Sequence, residues 1–184
     1  MTYYGAKELA DSFRTVRKNT ILVAEDIPEN KYSYRAAPET RSVGELLFHI
    51  ASSPTMAERI HATERRTTLE GFDFFTFIGE MTAKEKEPRS KAQVIELLRQ
   101  NGERFAKFLE GTDDKFLAQR VAMPKGMTPD SKTRFDMLLG VKEHEMHHRA
   151  QLMLIERMLG IVPHLTRDMQ ARIASMTPTK STAA

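Results

Sequence analysis

Three of the six histidines in this 184-residue chain fall within five residues of one another, between His144 and His148. Apolar residues recur around them at spacings of three and four, which predicts a helix. On a helix, His144 and His148 lie one above the other on the same face because they are four residues apart. Two imidazoles in this arrangement can bind one metal ion, provided that a third ligand comes from elsewhere in the fold.

His49 is the candidate third ligand, because it interrupts the apolar face of another predicted helix at middle depth. Glu145 and His148 interrupt the last helix in the same way, at positions where leucine or isoleucine is expected. Burying polar side chains there costs free energy unless a partner satisfies them. We therefore predict one metal ion held by His49, His144 and His148. Three neutral imidazoles suit zinc, nickel, iron or copper and leave a coordination position open for water or a substrate.

Two known motifs overlap these residues and offer alternative sites. The run His144–His148 matches H-E-x-x-H, the zinc metalloprotease motif in which Glu145 is the base, but no strand is predicted that would bind an extended peptide. Glu58–His61 and Glu145–His148 both match E-x-x-H, the motif of ferritin-like di-iron bundles. That site also requires an inward glutamate from each remaining helix. Glu103 is a candidate on the third helix, and the first helix offers no clear one.

The elements that position the histidines are predicted to be four amphipathic helices. They span residues 5–27, 43–65 with a kink at Pro54, 91–110 and 134–159, with capping residues at Ser42, Ser90 and Thr133. Residues 66–89 and 112–132 are predicted to be connections, with no convincing strand. Four long helices of this kind predict an all-α four-helix bundle. We expect a single domain over residues 1–170 and a C-terminal tail over residues 171–184 that is disordered at its end.

The composition narrows the classes of function. Lys and Arg number 28 and Asp and Glu 25, a net charge of only +3 without a dense basic run, which disfavours nucleic-acid binding. The chain contains no cysteine, so thiolate ligands, disulfides and a cysteine nucleophile are excluded. The sequence shows neither a signal-peptide pattern nor an apolar run of about 20 residues. We therefore expect a cytoplasmic protein that does not span a membrane.

Several other side chains admit more than one role. The aromatic cluster Phe72–Phe77 is expected to pack onto the bundle as part of a loop or short helix, and a pocket wall or a dimer contact is the alternative. His147 lies away from the ligand pair around the helix and is expected at the surface. His61 and His164 are expected to be surface or terminal residues.

Three stretches carry a family resemblance: residues 42–51 (SVGELLFHIA), residues 144–152 (HEMHHRAQL) and residues 159–163 (LGIVP). In these stretches, and in their order and separation, the chain resembles the DinB-like (YfiT-like) superfamily of metal-binding four-helix bundles. The resemblance covers about residues 5–167. The family pattern has glycine where this chain has Ala150, a small-for-small change that should not affect the ligands.

The resemblance implies that His49, His144 and His148 form a metal triad for a divalent ion, nickel or zinc, in a homodimer that forms through bundle faces. It also implies a small-molecule enzyme, acting by hydrolysis or by transfer of a low-molecular-weight thiol such as bacillithiol or mycothiol to an electrophile, with a stress or damage-response role. The alternative is a non-enzymatic metal-binding stress or interaction protein. Glu145 is the candidate general base, and Arg149 either pairs with a substrate carboxylate or forms an exposed salt bridge.

Overall fold

The computed structural model describes residues 4–176, and it is helical apart from its loops and one short hairpin. The helices are α1 (Ala6–Asp26), α2 (Val43–Ser52), α3 (Pro54–Ala57), α4 (Phe74–Glu85), α5 (Lys91–Glu110), α6 (Asp114–Ala118), α7 (Arg134–Met158) and α8 (His164–Met176). A 3₁₀ turn covers Glu29–Lys31, and a π-helical segment, Glu58–Thr63, continues α3. The strands β1 (Arg120–Ala122) and β2 (Ser131–Thr133) pair antiparallel.

The bundle consists of α1, α2 with its continuation through α3, α5 and α7, so the predicted four-helix bundle is confirmed. α1 packs against α5 and α7, and α2 packs against α5. The core between them is apolar, and its fully buried side chains include Phe13, Leu98, Phe105, Leu138 and Leu152. Each such side chain contributes roughly 1.5–3 kcal/mol by leaving water, and this burial is what holds the four helices together.

The helix ends follow the predicted caps. Ser42 and Ser90 each form a capping box at the start of α2 and α5. The hydroxyl of Thr133 accepts a hydrogen bond from the backbone N–H of Asp136 at the start of α7. Gly160 has a φ of +78°, a conformation that favours glycine, and it ends the α7 segment. The predicted limits of all four bundle helices therefore agree with the structure to within a few residues.

The kink predicted at Pro54 is a break between α2 and α3. Proline has no N–H to donate to the carbonyl of Ile50, one turn earlier. That carbonyl accepts instead from the Ser53 hydroxyl at 3.0 Å and from the Arg17 guanidinium at 3.3 Å. The helix then continues as the π-helical segment Glu58–Thr63, which places His61 differently from a regular helix.

Both predicted connections contain regular structure that the sequence did not predict. Residues 66–89 include the three-turn helix α4, and residues 112–132 include α6, β1 and most of β2. The expectation that the chain forms no strand is therefore wrong. β1 and β2 are only three residues long each, and strands this short do not show the two-residue alternation by which a strand is recognised.

The helix α8 follows the bundle and was also not predicted. It runs across residue 170, where the bundle domain was expected to end, so residues 171–176 of the expected tail are helical. The rest of that tail, residues 177–184, lies outside the described residues. Within residues 4–176, no helix combines the length and the apolar character that a membrane span requires.

A buried ion pair joins α1 to α7 in the middle of the bundle. The guanidinium of Arg17 donates two hydrogen bonds to the carboxylate of Glu145, at 2.8 and 2.9 Å, and the Thr20 hydroxyl donates a third at 2.7 Å. Arg17 also donates to the backbone carbonyl of Leu98 on α5 at 2.8 Å. The side chain of Glu145 is completely buried, so every polar atom here is satisfied by the protein itself.

We expect Glu145→Gln to lower the free energy of unfolding by about 3–5 kcal/mol, because it leaves the buried charge of Arg17 without its partner. The matched control is Glu103→Gln, which removes one of the carboxylate partners of Arg14 in an exposed ion pair between α1 and α5 and leaves Glu110 in place. That change is expected to cost at most about 1 kcal/mol. Urea unfolding of both variants checks this, and equal losses would contradict a structural role for the buried pair.

Candidate metal centre

His49, His144 and His148 meet at one point between α2 and α7. The Nε2 atom of His144 lies 3.1 Å from the Nε2 atom of His49 and 3.1 Å from that of His148. Within residues 4–176 this is the group of histidines and carboxylates that could hold a metal ion, with all its donor atoms within 4.8 Å of one another. The structure thus brings together the three residues that the sequence predicts as ligands.

The rotation of α7 decides where its histidines point. Consecutive residues on a helix differ by about 100° in direction, so a helix that buries Glu145 against α1 presents His144 to another side. His148 follows His144 by one turn and shares that side, where α2 presents His49. The buried ion pair with Arg17 and the histidine cluster are therefore two consequences of one orientation of α7.

Two neighbouring side chains orient the outer histidines. The Nδ1–H of His49 donates to the Glu85 carboxylate at 2.6 Å, and the Nδ1–H of His148 donates to the Gln151 side-chain oxygen at 2.8 Å. Glu85 is itself held by the guanidinium of Arg41 at 2.7 Å. With the proton on Nδ1, each of these two imidazoles turns an Nε2 lone pair towards the centre of the cluster. Carboxylates and amides in this position fix the tautomer and raise the basicity of metal-binding histidines.

The arrangement of the three imidazoles is better explained by a bound metal ion than by hydrogen bonds among the rings. A single proton on the Nε2 atom of His144 can serve only one of the two lone pairs that face it, whereas a cation can accept all three. Nitrogen atoms that each lie about 2.0–2.1 Å from a tetrahedral zinc ion are about 3.3 Å apart, close to the 3.1 Å seen here. The donor set, three neutral imidazoles, suits zinc or another borderline divalent ion.

The histidines are held in the neutral form that metal binding requires. Burial is the larger cause that, together with the neighbouring imidazoles, lowers the pKa of His144 to about 4. Burial also lowers the pKa of His49 and of His148, although the contacts with Glu85 and Gln151 oppose that shift. All three imidazoles are therefore neutral at pH 7.

Two cavities flank the cluster. An apolar cavity of about 430 Å³ opens beside His49 and His144. Its apolar lining comes from α3, the π-helical segment, α4 and α7, and includes Met56, Ile60, Phe77, Met81, Met137 and Val141. A second cavity of about 620 Å³ opens beside His148. Most of its lining residues are polar or charged, among them Arg35, Glu39, Glu45, Lys86 and Gln151, although their apolar atoms supply much of its surface.

Glu145 is not a candidate general base, contrary to the sequence-based expectation. Its carboxylate is fully buried, and both of its oxygens accept hydrogen bonds from Arg17 and Thr20 on α1. The same orientation removes the metalloprotease alternative, which needs this glutamate at the metal. In the di-iron alternative, Glu103 binds Arg14 at the bundle surface and does not point inward.

The exposure of the remaining three histidines differs from the prediction for two of them and agrees with it for one. His61 and His164 are buried, with 1% and 4% of their surface exposed, so the prediction of surface positions is wrong. His147 is exposed, as predicted, and its Nε2 atom lies 3.3 Å from the Gln151 side-chain nitrogen. Arg149 is half-buried and donates to the carbonyl of Val16, so it forms no exposed salt bridge.

The sequence did not identify Glu85, Arg41 or Gln151 as members of the site. Glu85 is the last residue of α4, and its contact with His49 spans 36 residues. No spacing along the chain indicates such a contact. Gln151 follows His148 by three residues, so helical spacing alone could have indicated this pair. Within the aromatic cluster, Phe77 lines the apolar cavity, whereas 92% of the Phe75 side chain is exposed.

Comparisons with known proteins agree with this fold. The sequence profile described as the DinB superfamily matches residues 12–152. A DinB-like protein from Bacillus subtilis, YjoA, has a similar structure, with a TM-score of 0.60, 22% identity, and 83% of this chain and 92% of that one covered. No curated protein matches the chain significantly.

Two further solved structures are similar. YfiT from Bacillus subtilis, described as a probable metal-dependent hydrolase with an unusual four-helix bundle topology, gives a TM-score of 0.68 at 15% identity, covering 88% of this chain and 91% of that one. An uncharacterised protein from Clostridium difficile 630 gives 0.65 at 15% identity, covering 85% and 98%. At these identities the likeness concerns the fold.

We expect His144 in the metal-free protein to stay neutral down to about pH 4, because burial and its imidazole neighbours lower its pKa. In the unfolded chain the pKa is near the ordinary value of about 6.5. The unfolded state therefore binds more protons between these values, so stability is complete above about pH 6.5 and falls as the pH drops towards 4. NMR titration of chelator-treated protein measures this, and a His144 midpoint near 6.5 would contradict it.

Proposed function

The chain belongs to the DinB superfamily, and from that premise we propose that it is a metal-dependent enzyme acting on a small molecule. The observation that carries the proposal is the meeting of three imidazole Nε2 atoms at the wall of a large apolar cavity. His49, His144 and His148 would hold one divalent ion, zinc or nickel. Three protein ligands leave a coordination position for a reactant, which is typical of catalytic and not of structural sites.

A divalent ion held in this way acts as a Lewis acid and lowers the pKa of a bound water or thiol. The protein's own residues supply orientation and a dry surrounding. Glu85 and Gln151 keep the Nδ1 protons of His49 and His148, so that both Nε2 lone pairs stay directed at the ion. Arg41 holds Glu85 in place. The apolar cavity takes the substrate body and excludes bulk water, which strengthens the electrostatic interactions at the site.

Hydrolysis and thiol transfer are the two candidate reactions, and each has its own support. Hydrolysis is supported by the description of the similar protein YfiT as a probable metal-dependent hydrolase. Thiol transfer is supported by the second cavity, because a charged thiol of low molecular weight could occupy it while an apolar electrophile occupies the first. Lys86 and Arg35 are two of the cations in its lining, beside Arg41, that could bind a carboxylate of such a thiol.

Metal content measured by elemental mass spectrometry tests the site first. Tag-free wild-type protein is expected to retain close to one ion per chain after reconstitution with zinc or nickel. His49→Ala and His144→Ala are expected to lose it, because each removes a ligand. His147→Ala is the matched control, since this exposed neighbour is not a ligand and its removal should leave the metal content unchanged.

Glu85→Gln is expected to weaken metal affinity about 10–100-fold by removing the carboxylate that orients His49.

Activity assays on the same protein preparations then distinguish the two candidate reactions. Hydrolysis predicts metal-dependent cleavage of 4-nitrophenyl butyrate, whereas thiol transfer predicts metal-dependent conjugation of bacillithiol or mycothiol to 1-chloro-2,4-dinitrobenzene. Stoichiometric metal without either activity, across a wider set of esters and electrophiles, would favour the non-enzymatic metal-binding alternative. Wild-type protein that holds no metal after reconstitution would contradict the site itself. The homodimer stays a prediction of the family resemblance, and the cytoplasmic location stays a prediction from the sequence.

A further inference from the structure

His61 is a third histidine of the apolar cavity, beside His49 and His144, and it does not belong to the metal cluster. It lies in the π-helical segment Glu58–Thr63, lines the cavity and is only 1% exposed. Its partner Arg134 begins α7, ten residues before His144, which is about 15 Å along a helix. His61 and the metal ligands therefore lie at different levels of one cavity, with Ile60, Met137 and Val141 also in its lining.

The contact with Arg134 determines which nitrogen of His61 carries the proton. The Nη1 atom of Arg134 donates to His61 Nδ1 at 2.8 Å. A guanidinium has only donors and keeps its charge at all ordinary pH values, so Nδ1 must be the acceptor. The neutral ring then carries its proton on Nε2.

Arg134 is firmly held, so the tautomer of His61 is fixed. The guanidinium donates to the Gln119 side-chain oxygen at 3.0 Å and to the Arg66 backbone carbonyl at 2.8 Å. It also stacks over the ring of Phe116 at 4.7 Å. Only 1% of Arg134 is exposed. A charge held this rigidly beside Nδ1 also opposes protonation of the imidazole.

The electrostatic surroundings keep His61 neutral. Burial and the charge of Arg134 lower its pKa to about 4, with burial the larger cause. Across residues 4–176, the Nε2–H of His61 has no protein acceptor within hydrogen-bonding distance. The Nε2 atom is not among the fully buried polar atoms that lack a partner, so it keeps access to the cavity that His61 lines, where an acceptor on a ligand can take the place of water. The side chain is thus a neutral, oriented donor in an otherwise largely apolar wall.

We propose that the Nε2–H of His61 binds the substrate, by donating a hydrogen bond to a neutral acceptor oxygen at the end of the molecule away from the metal ligands. The substrate class is then a small molecule with an apolar body and a ketone, ester or amide carbonyl at that end. A cation is excluded there by the charge of Arg134, and a carboxylate would lose its hydration in an apolar cavity. This inference deepens the proposed function, on which it rests only for the shared cavity.

The test compares acetophenone with α-methylstyrene, which replaces the carbonyl oxygen by a CH₂ group of similar shape. Both probes are titrated by NMR into wild-type, His61→Phe and His61→Gln protein, each in chelator-treated and zinc-loaded form. The ratio of the two dissociation constants removes general effects of a substitution on the cavity. His61→Phe is expected to shift that ratio against acetophenone roughly three- to tenfold, the value of one hydrogen bond. His61→Gln, whose amide can donate, is expected to recover part of the shift.

A second readout follows the imidazole itself. In ¹⁵N-labelled wild-type protein His61 is expected to show the neutral Nε2–H tautomer, and acetophenone but not α-methylstyrene is expected to move its Nε2 signal. An Nδ1–H tautomer, an unchanged ratio in both variants, or no binding of either probe would overturn the proposal. Tighter binding of benzoate than of acetophenone would overturn its neutral-acceptor part. Because the chelated protein gives the same readouts, a failure of the metal site would appear separately, as absent zinc with the His61 effect intact.

Discussion

The buried ion pair between Arg17 and Glu145 is the contact on which the site depends most. It places two charges in the centre of a helical bundle, where an unpaired charge would be strongly destabilising. Because Glu145 must face α1 to meet its partner, α7 can adopt only one rotation. That rotation turns His144 and His148 towards α2. Gly102 on α5 makes room for the pair, since a Cβ atom there would lie 2.7 Å from the side chain of Arg17.

In the histidine cluster, by contrast, the protein does not satisfy the full hydrogen-bonding capacity of the imidazole nitrogens. Every side-chain polar atom of the Arg17–Glu145 pair has a protein partner, whereas the Nε2 atoms of the three histidines face one another with more lone pairs than protons. A structural polar core and a binding site thus lie on neighbouring faces of one helix. The outer contacts of the histidines, with Glu85 and Gln151, are those of a site arranged for a cation.

Much of this arrangement could be predicted from the sequence, because the relevant signals are local. Helical periodicity and the caps at Ser42, Ser90 and Thr133 give the bundle helices, and the four-residue spacing of His144 and His148 gives two ligands. α8 shows the same apolar periodicity, because Leu165, Met169, Ile173 and Met176 recur at helical spacing after Pro163. The spacing of these four apolar residues predicts a helix where a tail is expected.

At the site, the incorrect predictions concern contacts between residues far apart in the chain. Glu145 was recognised as an exception on an apolar face, but its partner Arg17 lies 128 residues away, so its role was misassigned. His61 gave no local sign of burial, because its environment depends on Arg134 and on the π-helical segment that follows Pro54. Glu85 gave none either, since α4 reaches His49 only in the folded chain. Pairings of this kind depend on helix packing, which periodicity does not specify.

The central claim is that three histidines hold one metal ion and leave its cavity side open. Anomalous diffraction from crystals of the zinc-loaded protein tests it most directly. The account predicts a single peak about 2.0–2.1 Å from the Nε2 atoms of His49, His144 and His148, with Glu85 still bound to Nδ1 of His49 and solvent completing the coordination. A fourth protein ligand that closes the cavity side, or a peak at another position, would contradict it.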